Sequence, residues 1–363
     1  MEGNTIRWYR ADDRERYLDL HEDVLGERPR GEDWFEWKYE SNPYVDHVPI
    51  VLAEHEGELV GARSFFALPM SVGRRRHAAL QPCDTMVRRA HRRRGLFTRM
   101  TEEAIDRYER EEPAFFFNFP NEATLSGNRK LGWRVVGQDP RHYRIEDVGT
   151  LVASRTDNPG LRLAGAVSTP VVAGYNRLRQ AMASRSSDVS VRRASGVPAD
   201  ALASIYRRRV PEAIHTVRDR PFYRWRFENP DWAYTTYVTE GDPDPVGMVV
   251  AVPRNGAGVS EGVTRVVDVV PLRGDERTEQ VAALLDRVQS DNADSELFVA
   301  PSGVLDRTLL RRFGFRRDDR APVSYLKQPR MHAVRSLSAW EIEGLDVTRP
   351  ENWRMTFAEL DTG

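Results

Sequence analysis

The sequence has little cysteine, little net charge and no long apolar run. Its one cysteine, Cys83, cannot form a disulfide within the chain, and no group of Cys and His residues has the spacing of zinc ligands, so we expect no metal. The 363 residues carry a formal net charge of −1, without the overall positive field typical of nucleic-acid-binding proteins. No segment has the apolar length of a membrane-spanning helix, and the polar start after Met1 does not resemble a signal peptide. These absences predict a cytoplasmic protein with no nucleic-acid and no membrane partner.

The chain repeats itself once. Residues 35–43 return as residues 223–230, with aromatic, Trp, basic, aromatic, acidic and Asn-Pro positions in the same order and one deletion. Three further pairs of segments keep this order: 57–61 with 244–247, 116–120 with 297–301, and 131–133 with 313–315. A length of 363 residues also exceeds what one hydrophobic core usually supports. We therefore predict two tandem copies of one α/β domain, the alternative being two unrelated α/β domains with similar turns.

The repeat sets the expected domain bounds. The first copy spans residues 1–148, and residues 149–190 form a linker that contains a connecting helix. The second copy spans residues 191–330. The last segment, 331–363, is too short to be another domain, and its aromatic residues indicate a tail that packs on the two domains.

The segment after the strand that ends at Val87 carries the most chemical information. It is rich in arginine, and Gly95 opens an amphipathic helix. The first backbone N–H groups of a helix have no intrahelical partner and lie at the positive end of its dipole, where a pyrophosphate binds. Glycine allows the backbone to come close to such a ligand. An anion site is the favoured interpretation, and a solvated helix start, a nucleic-acid patch or a localisation signal are the alternatives.

Residues 92–97 resemble the pyrophosphate loop of the GNAT superfamily of acyl-CoA-dependent N-acyltransferases, Arg/Gln-x-x-Gly-x-Gly/Ala, with Phe97 in place of the last small residue. The run 91–96 looks especially like the tandem enhanced-intracellular-survival type of acetyltransferase, although the 33 residues after Arg330 cannot form the sterol-carrier-like third domain of that type. The resemblance implies an α/β (α+β) fold of two GNAT-like domains, each a mixed, mostly antiparallel sheet flanked by helices. It also implies acetyl-CoA as donor substrate. The implied acetyl-CoA-binding residues are Thr85, Met86, Val87, Arg92, Arg93, Arg94, Gly95, Leu96, Phe97, Thr98 and Asn121.

The second copy serves as an internal comparison. Its corresponding loop after Asp268 is about three residues shorter and places two acids, Asp275 and Glu276, where phosphate would lie. Acids at a helix start satisfy the dipole themselves and repel a pyrophosphate. We therefore expect only the first copy to bind acetyl-CoA, with the second forming a wall of the acceptor site or a scaffold.

Catalytic residues are harder to assign. Asp84 lies on the strand before the loop and could accept the proton of the amine, but Asp268 holds the matching place in the second copy, which favours a structural role shared by both. Family members often place a proton-donating Tyr four residues before the Gly of the turn that ends the next helix, and Asn128 stands there. By resemblance to the aminoglycoside-modifying relatives, the terminal carboxylate at Gly363 is a further candidate base.

The expected function is direct acetyl transfer from acetyl-CoA to a primary amine of a small molecule. A non-catalytic acyl-CoA sensor and a Fem-type aminoacyl transferase are the alternatives. The sequence leaves open which amine is the acceptor and whether the protein forms a homo-oligomer.

Overall fold

The computed structural model describes residues 3–26, 30–111, 113–153, 159–184, 189–241, 244–254, 262–272, 277–321, 323–325 and 327–361. The helices are α1 (Arg14–Leu25), α2 (Gly31–Phe35), α3 (Leu96–Tyr108), α4 (Glu122–Lys130), α5 (Val148–Ala153), α6 (Pro159–Ser184), α7 (Ala199–Arg208), α8 (Arg220–Arg226), α9 (Thr278–Asp291) and α10 (Arg307–Arg312). A π-helical turn, Glu36–Glu40, continues α2.

The strands of the first half of the chain are β1 (Asn4–Trp8), β2 (Ile50–His55), β3 (Glu58–Val72), β4 (Arg75–Val87), β5 (Phe115–Asn118), β6 (Arg134–Asp139) and β7 (Arg141–Ile145). Those of the second half are β8 (Ser190–Ser195), β9 (His215–Thr216), β10 (Trp232–Glu240), β11 (Gly247–Pro253), β12 (Val263–Val270), β13 (Leu297–Pro301), β14 (Arg316–Arg317), β15 (Arg330–Ser336), β16 (Glu341–Ile342) and β17 (Leu345–Asp346).

Two large sheets organise the described residues. The first has eight strands in the order β1-β2-β3-β4-β5-β15-β6, with β9 beside β3, and the second has seven in the order β14-β7-β13-β12-β11-β10-β8. Within the described residues, only β4 with β5 and β12 with β13 pair in parallel, and the other pairs are antiparallel. The expectation of two mixed, mostly antiparallel sheets flanked by helices is therefore confirmed.

The two sheets exchange one strand each. After Pro140 the chain leaves the first sheet, and β7 pairs with β13 and β14 of the second. In return β15 lies between β5 and β6 of the first sheet. The sequence-based bounds of 1–148 and 331–363 did not anticipate this exchange, because a strand's own residues do not specify which neighbour it pairs with.

The repeated motif meets its twin at the centre of the molecule. The indole nitrogen of Trp37 donates to the carbonyl of Trp225, and the indole nitrogen of Trp225 donates to the carbonyl of Trp37, each at 2.8 Å. Both rings are buried and lie nearly parallel, with an interplanar angle of 21°. The reciprocal contact explains why the motif recurs: each copy supplies half of one symmetric interface.

The buried hydrophobic residues in the described part of the chain form three cores. α3 packs its buried face, Met100, Ala104 and Tyr108, on one side of the first sheet. A second core lies between the two sheets, and a third packs α9 and α10 on the far side of the second sheet. Every residue of β3 after Glu58 is buried, because both faces of that strand are covered.

The expected connecting helix is α6, which begins at Pro159 and contains Pro170. Among the described residues, no helix is long and apolar enough to cross a bilayer.

Candidate functional site

The turn between β4 and α3 is sharp. β4 ends at Val87, a short 3-10 turn follows at Arg89–His91, and α3 begins after Gly95. Gly95 has φ +77°, and a Cβ built there would meet no atom within 4 Å. Arg93 also has a positive φ of 63°. The turn therefore depends on left-handed backbone, and it leaves open space directly in front of the helix start.

This turn presents free backbone amides. Within the described residues, the amides of residues 93–98 donate to no other group, and the first bond of the helix runs from Arg99 N to Gly95 O at 3.0 Å. Arg92, Arg93 and Arg94 are exposed, and none of them forms an ion pair with a described acid. Arg92 folds its Nε back onto the carbonyl of Val87 at 3.0 Å. Unpaired amides, the helix dipole and three unpaired arginines together form an anion cradle.

An open strand edge leads away from the cradle. β4 and β5 pair only at Ala79–Phe115 and Leu80–Phe116, while β4 continues to Val87 with β3 as its sheet partner. β15 pairs with β5 along its whole length, on the edge away from β4. Since β4 and β5 are paired only at these two positions, they separate after Leu80 and Phe116, and the edge of β4 that includes residues 85–87 faces the gap. An extended amide-containing ligand can bind such an edge as an added strand.

A β-bulge lies in this open part of β4. The pairing with β3 shifts between Ala62 and Ser64, so that Asp84 and Thr85 both lie opposite Arg63. Asp84 has a left-handed φ of 37°. Because of the bulge, Asp84 and Arg63 both lie at the centre of the candidate site, on opposite faces of the sheet.

Arg63 is a residue that the sequence analysis missed. It is 1% exposed, and burial lowers the pKa of its guanidinium to about 10. It donates to Thr85 Oγ1 at 2.5 Å and to Asn128 Oδ1 at 3.3 Å, and it lies 4.8 Å from the centre of the Phe97 ring. Among the described residues no carboxylate pairs with it. A buried cation without an acid is costly, which marks this position for a ligand.

Three buried polar atoms near the gap have no hydrogen-bond partner among the described residues. They are Arg63 Nε, Asn128 Nδ2 and Asn118 Oδ1, from β3, α4 and the end of β5. Each belongs to a side chain that is at most 4% exposed. Buried polar groups are nearly always satisfied in folded proteins, so these atoms indicate a bound polar molecule.

Phe97, the departure from the loop pattern, packs against α4. A Cβ on Gly127 would lie 2.7 Å from the Phe97 ring. The large residue in α3 is therefore accommodated by a glycine in α4. The glycine inside the short helix 122–130 was the sequence signal that could have revealed this contact.

The other face of β4 carries a charged cluster. Lys38 Nζ lies 2.6 Å from Asp84 Oδ2 and 3.3 Å from Asp361 Oδ2, and the Tyr39 hydroxyl donates to Asp84 at 2.5 Å. Ligand atoms of Cys83, Asp84 and Asp361 lie within 4.8 Å of one another. The buried Lys38 ammonium lies between the two carboxylates, where a metal ion would otherwise bind. We therefore interpret this arrangement as an ion-pair cluster.

Asp84 is poorly suited to accept a proton from an amine. Burial alone would raise its pKa, but the Lys38 ammonium and the Tyr39 hydroxyl lower it to about 2. The second copy repeats the arrangement: Asp268 pairs with Arg218 at 3.0 Å and accepts from the Tyr223 hydroxyl at 2.9 Å. The geometry favours the structural role shared by both copies.

We expect Asp84→Asn to lower the free energy of unfolding by about 3–5 kcal/mol, because it leaves Lys38 buried without its main partner. Asp268→Asn should have a comparable effect through Arg218. The depressed pKa of Asp84 stabilises the fold above its ordinary value near 4, and this contribution disappears as pH falls toward 2. Chemical denaturation of the two variants at pH 7 and pH 3 checks both statements. An Asp84→Asn protein of unchanged stability that has lost turnover would instead identify Asp84 as the base.

The remaining sequence-based candidates are placed as follows. Asn121 caps α4, where its Oδ1 accepts from the amide of Thr124 at 2.9 Å. Met86 and Leu96 are buried, and Thr98 is exposed on the first turn of α3. Gly363 lies outside the described residues, but the tail does reach the gap: Gln81 on β4 hydrogen-bonds the carbonyl of Glu359 and the amide of Asp361.

The second copy differs at the equivalent turn. Asp275 and Glu276 lie outside the described residues. The guanidinium of Arg277, directly before α9, donates to the carbonyls of Pro271 and Val304 and so spans the space between the end of β12 and the loop after β13. A protein side chain bridges there, whereas the corresponding space in the first half is open.

Known proteins resemble this chain in two ways, through a domain family and through whole solved structures. The family model of the acetyltransferase (GNAT) domain matches residues 5–136. No curated protein matches the chain. Three solved structures resemble it: a GCN5-related N-acetyltransferase from Anabaena variabilis (TM-score 0.61, 10% identity, 92% of this chain and 73% of that chain), one from Kribbella flavida (0.57, 16%, 92% and 71%) and Eis1 from Mycobacterium abscessus (0.51, 16%, 92% and 73%). At these identities the structural likeness establishes the fold.

Proposed function

The chain carries a GNAT acetyltransferase domain at residues 5–136, and from this premise we propose that it transfers an acetyl group from acetyl-CoA to a primary amine of a small molecule. One observation carries the proposal. Among the described residues the amides of 93–98 are free at a helix start flanked by unpaired arginines, which suits a pyrophosphate. The bridged space beside Arg277 supports acetyl-CoA binding by the first half alone.

In this proposal, acetyl-CoA extends from the loop along the open edge of β4. With the pyrophosphate on residues 92–98, the pantetheine amides pair with the edge at residues 85–87, and the thioester reaches the bulge. The neutral amine attacks the thioester carbonyl, a C–N bond forms, the C–S bond breaks and the CoA thiolate leaves. The amine loses one proton and the thiolate gains one. Holding both reactants at the bulge supplies much of the rate by proximity.

The leaving thiolate needs positive charge or a proton. Asn128 cannot supply a proton, because an amide is not an acid at neutral pH. Arg63 lies beside Asn128 and is charged below a pKa of about 10, and its Nε has no hydrogen-bond partner in the described part of the chain. We therefore assign Arg63 to stabilise the thiolate electrostatically, which makes a proton donor unnecessary in the bond-breaking step.

The donor claim is tested by thermal shift. Acetyl-CoA at 100 times its Kd should stabilise the protein by about 2.7 kcal/mol, and CoA should act similarly. S-acetylpantetheine, which lacks the pyrophosphate, is the matched control and should give a much smaller shift at equal concentration. Equal shifts with both compounds would contradict the anion cradle.

Transfer is tested by release of free thiol from acetyl-CoA in the presence of an amine panel. Thiol release that depends on an amine supports the enzyme. The absence of the usual tyrosine at Asn128 favours the second candidate, an acyl-CoA sensor, and the sensor predicts an acetyl-CoA shift without thiol release from any amine. The Fem-type alternative predicts neither result and requires an aminoacyl-tRNA.

A further inference from the structure

Arginine and tyrosine side chains share one face of the second sheet. The strand register places Tyr143, Val299, Arg265, Ala251 and Tyr234 side by side across β7, β13, β12, β11 and β10. Directly paired residues point to the same face, and Val299 and Ala251 belong to the core between the two sheets. Arg265 therefore faces the first half of the molecule, and Arg141, two residues before Tyr143 on β7, faces the same way.

The first sheet adds a third arginine. Arg330 pairs with Asp139 at the end of β6, and only Pro140 separates Asp139 from Arg141. The three guanidinium groups are close enough to act on one another. Burial and then the charges of Arg141 and Arg330 lower the pKa of Arg265 to about 10, and burial and Arg141 lower that of Arg330. We call Arg141, Arg265 and Arg330 the arginine cluster.

Among the described residues, no carboxylate forms an ion pair with the arginine cluster. Arg141 is 7% exposed, and its Nε and Nη2 have no hydrogen-bond partner among the described residues. No acid in the described part of the chain forms an ion pair with any of the three arginines. Aromatic rings cover two of them: Arg265 lies 4.4 Å from the Trp232 ring and Arg141 lies 4.9 Å from the Phe357 ring.

Apart from Asp139, the acids that face the cluster are engaged elsewhere. Burial raises the pKa of Asp139 to about 6 despite Arg141 and Arg330, so at neutral pH it is mostly ionised and offsets one of the three positive charges. Asp318 accepts from the backbone amide of Arg141, Glu359 pairs with Arg218, and Asp361 with Lys38. The cluster thus keeps a net positive charge, although leaving buried cations unpaired is unfavourable for folding. Positive charge that the protein leaves without a partner therefore indicates a site for an anionic ligand.

The C-terminal tail connects the cluster to the bulge of β4. Phe357 lies on Arg141, while Asp361 contacts Lys38 at the bulge and raises the pKa of Arg330. The four residues from one to the other span at most about 14 Å even when fully extended. A molecule the size of a sugar phosphate or an amino acid can therefore contact the cluster while its amine lies near the open edge of β4.

We propose that the arginine cluster binds an anionic group of the acceptor, so that the acceptor is a primary amine that also carries a carboxylate or a phosphate. This proposal rests on the proposed acetyl transfer. Planar guanidinium groups bind both anions through paired, charge-assisted hydrogen bonds. The cluster disfavours polycationic amines through like-charge repulsion.

Two matched pairs of amines test the proposal: glucosamine 6-phosphate against glucosamine, and 4-aminobutanoate against butylamine. Each pair differs only in the anion. Thiol release from acetyl-CoA is expected to be faster with at least one anionic member, and the faster pair identifies phosphate or carboxylate. Arg265→Gln and Arg330→Gln should each lower kcat/KM for that amine by about 10- to 100-fold, since each removes a charged hydrogen bond. The KM for acetyl-CoA should not change.

Arg220→Gln is the control variant, because Arg220 is an exposed arginine paired with Asp200 away from the cluster. It should behave as wild type. Arg265→Gln removes a partly buried charge that forms no ion pair with the described residues, so its melting temperature should not fall far, which separates a binding defect from misfolding.

The outcomes separate the two proposals. Turnover without preference for the anionic amines overturns the cluster assignment and leaves acetyl transfer standing. If no amine supports turnover, the proposal of acetyl transfer is wrong. Thermal shifts by glucosamine 6-phosphate and 4-aminobutanoate in the presence of CoA then test whether the arginine cluster binds anions. A shift that Arg265→Gln abolishes supports the anion site, and the absence of such a shift overturns it.

Discussion

Replacing Gly95 with aspartate is expected to weaken acetyl-CoA binding on the order of 100-fold, because a carboxylate beside the pyrophosphate costs several kcal/mol. The new side chain enters the open space in front of the free amides of residues 93–98. Asp tolerates the left-handed conformation at this position better than most residues, and an acid at a helix start favours the helix. The fold should therefore survive while the ligand is repelled. Isothermal titration with acetyl-CoA measures the change.

Gly95→Asn is the matched control, since asparagine has the same shape and the same tolerance of positive φ but carries no charge. We expect its affinity for acetyl-CoA to fall by less than about 10-fold, the cost of backbone strain near 1 kcal/mol. Equal losses of acetyl-CoA affinity in the two variants would show that backbone strain alone weakens binding. Unchanged affinity in Gly95→Asp would show that no phosphate binds at this helix start, and the proposed function would then lose its main support.

Arg63→Met should lower kcat about 100-fold with little change in the KM for acetyl-CoA, the size of effect seen when one group that stabilises developing charge is removed. Methionine fills similar space without a charge. Arg63 has no acid partner among the described residues, so its removal leaves no carboxylate unpaired, and the melting temperature should fall only by the loss of its hydrogen bonds to Thr85 and Asn128. Steady-state kinetics together with thermal unfolding separate the two effects.

The pH dependence gives a second readout for Arg63. The guanidinium is charged below its pKa of about 10 and loses its charge as pH rises through that value. The ratio of wild-type to Arg63→Met turnover should therefore be constant at neutral pH and fall above pH 10. Arg63→Lys keeps a cation and should restore part of the rate. A large loss of turnover in both variants, with a ratio of wild-type to variant turnover that does not depend on pH, would show that Arg63 acts only in packing.

The strand, turn and helix of the proposed donor loop were predictable because their information is local. A strand, a run of arginines, a glycine and an amphipathic helix follow one another within residues 78–108, and the structure places a strand end, a tight turn and a helix start there. The internal repeat was visible for the same reason, since each copy carries its own Trp motif. Phe97 looked like a defect of the loop, and only its contact with Gly127 on the next helix explains it.

Other parts of the site could not be read from the chain. Arg63 sits in the middle of a strand with no motif around it, and its importance comes from burial without an acid. Asp84 looked like a candidate base, whereas its pKa near 2 depends on Lys38, which lies 46 residues away in sequence. The arginine cluster combines Arg141, Arg265 and Arg330, which no spacing rule relates.

The sequence by itself determined two related α/β halves and the tight strand-to-helix turn that we propose as the anion site, because periodicity, turn residues and helix-start chemistry act over a few neighbouring positions. Tertiary structure alone decided which sheet β7 and β15 complete, which charges are paired, and what the tail contacts. Those outcomes depend on burial and on distances between segments far apart in the chain, where desolvation turns an ordinary arginine or aspartate into a group with a shifted pKa. The proposed donor end of the site is thus encoded by neighbouring residues, and the proposed acceptor end depends on the exchange of strands between the halves.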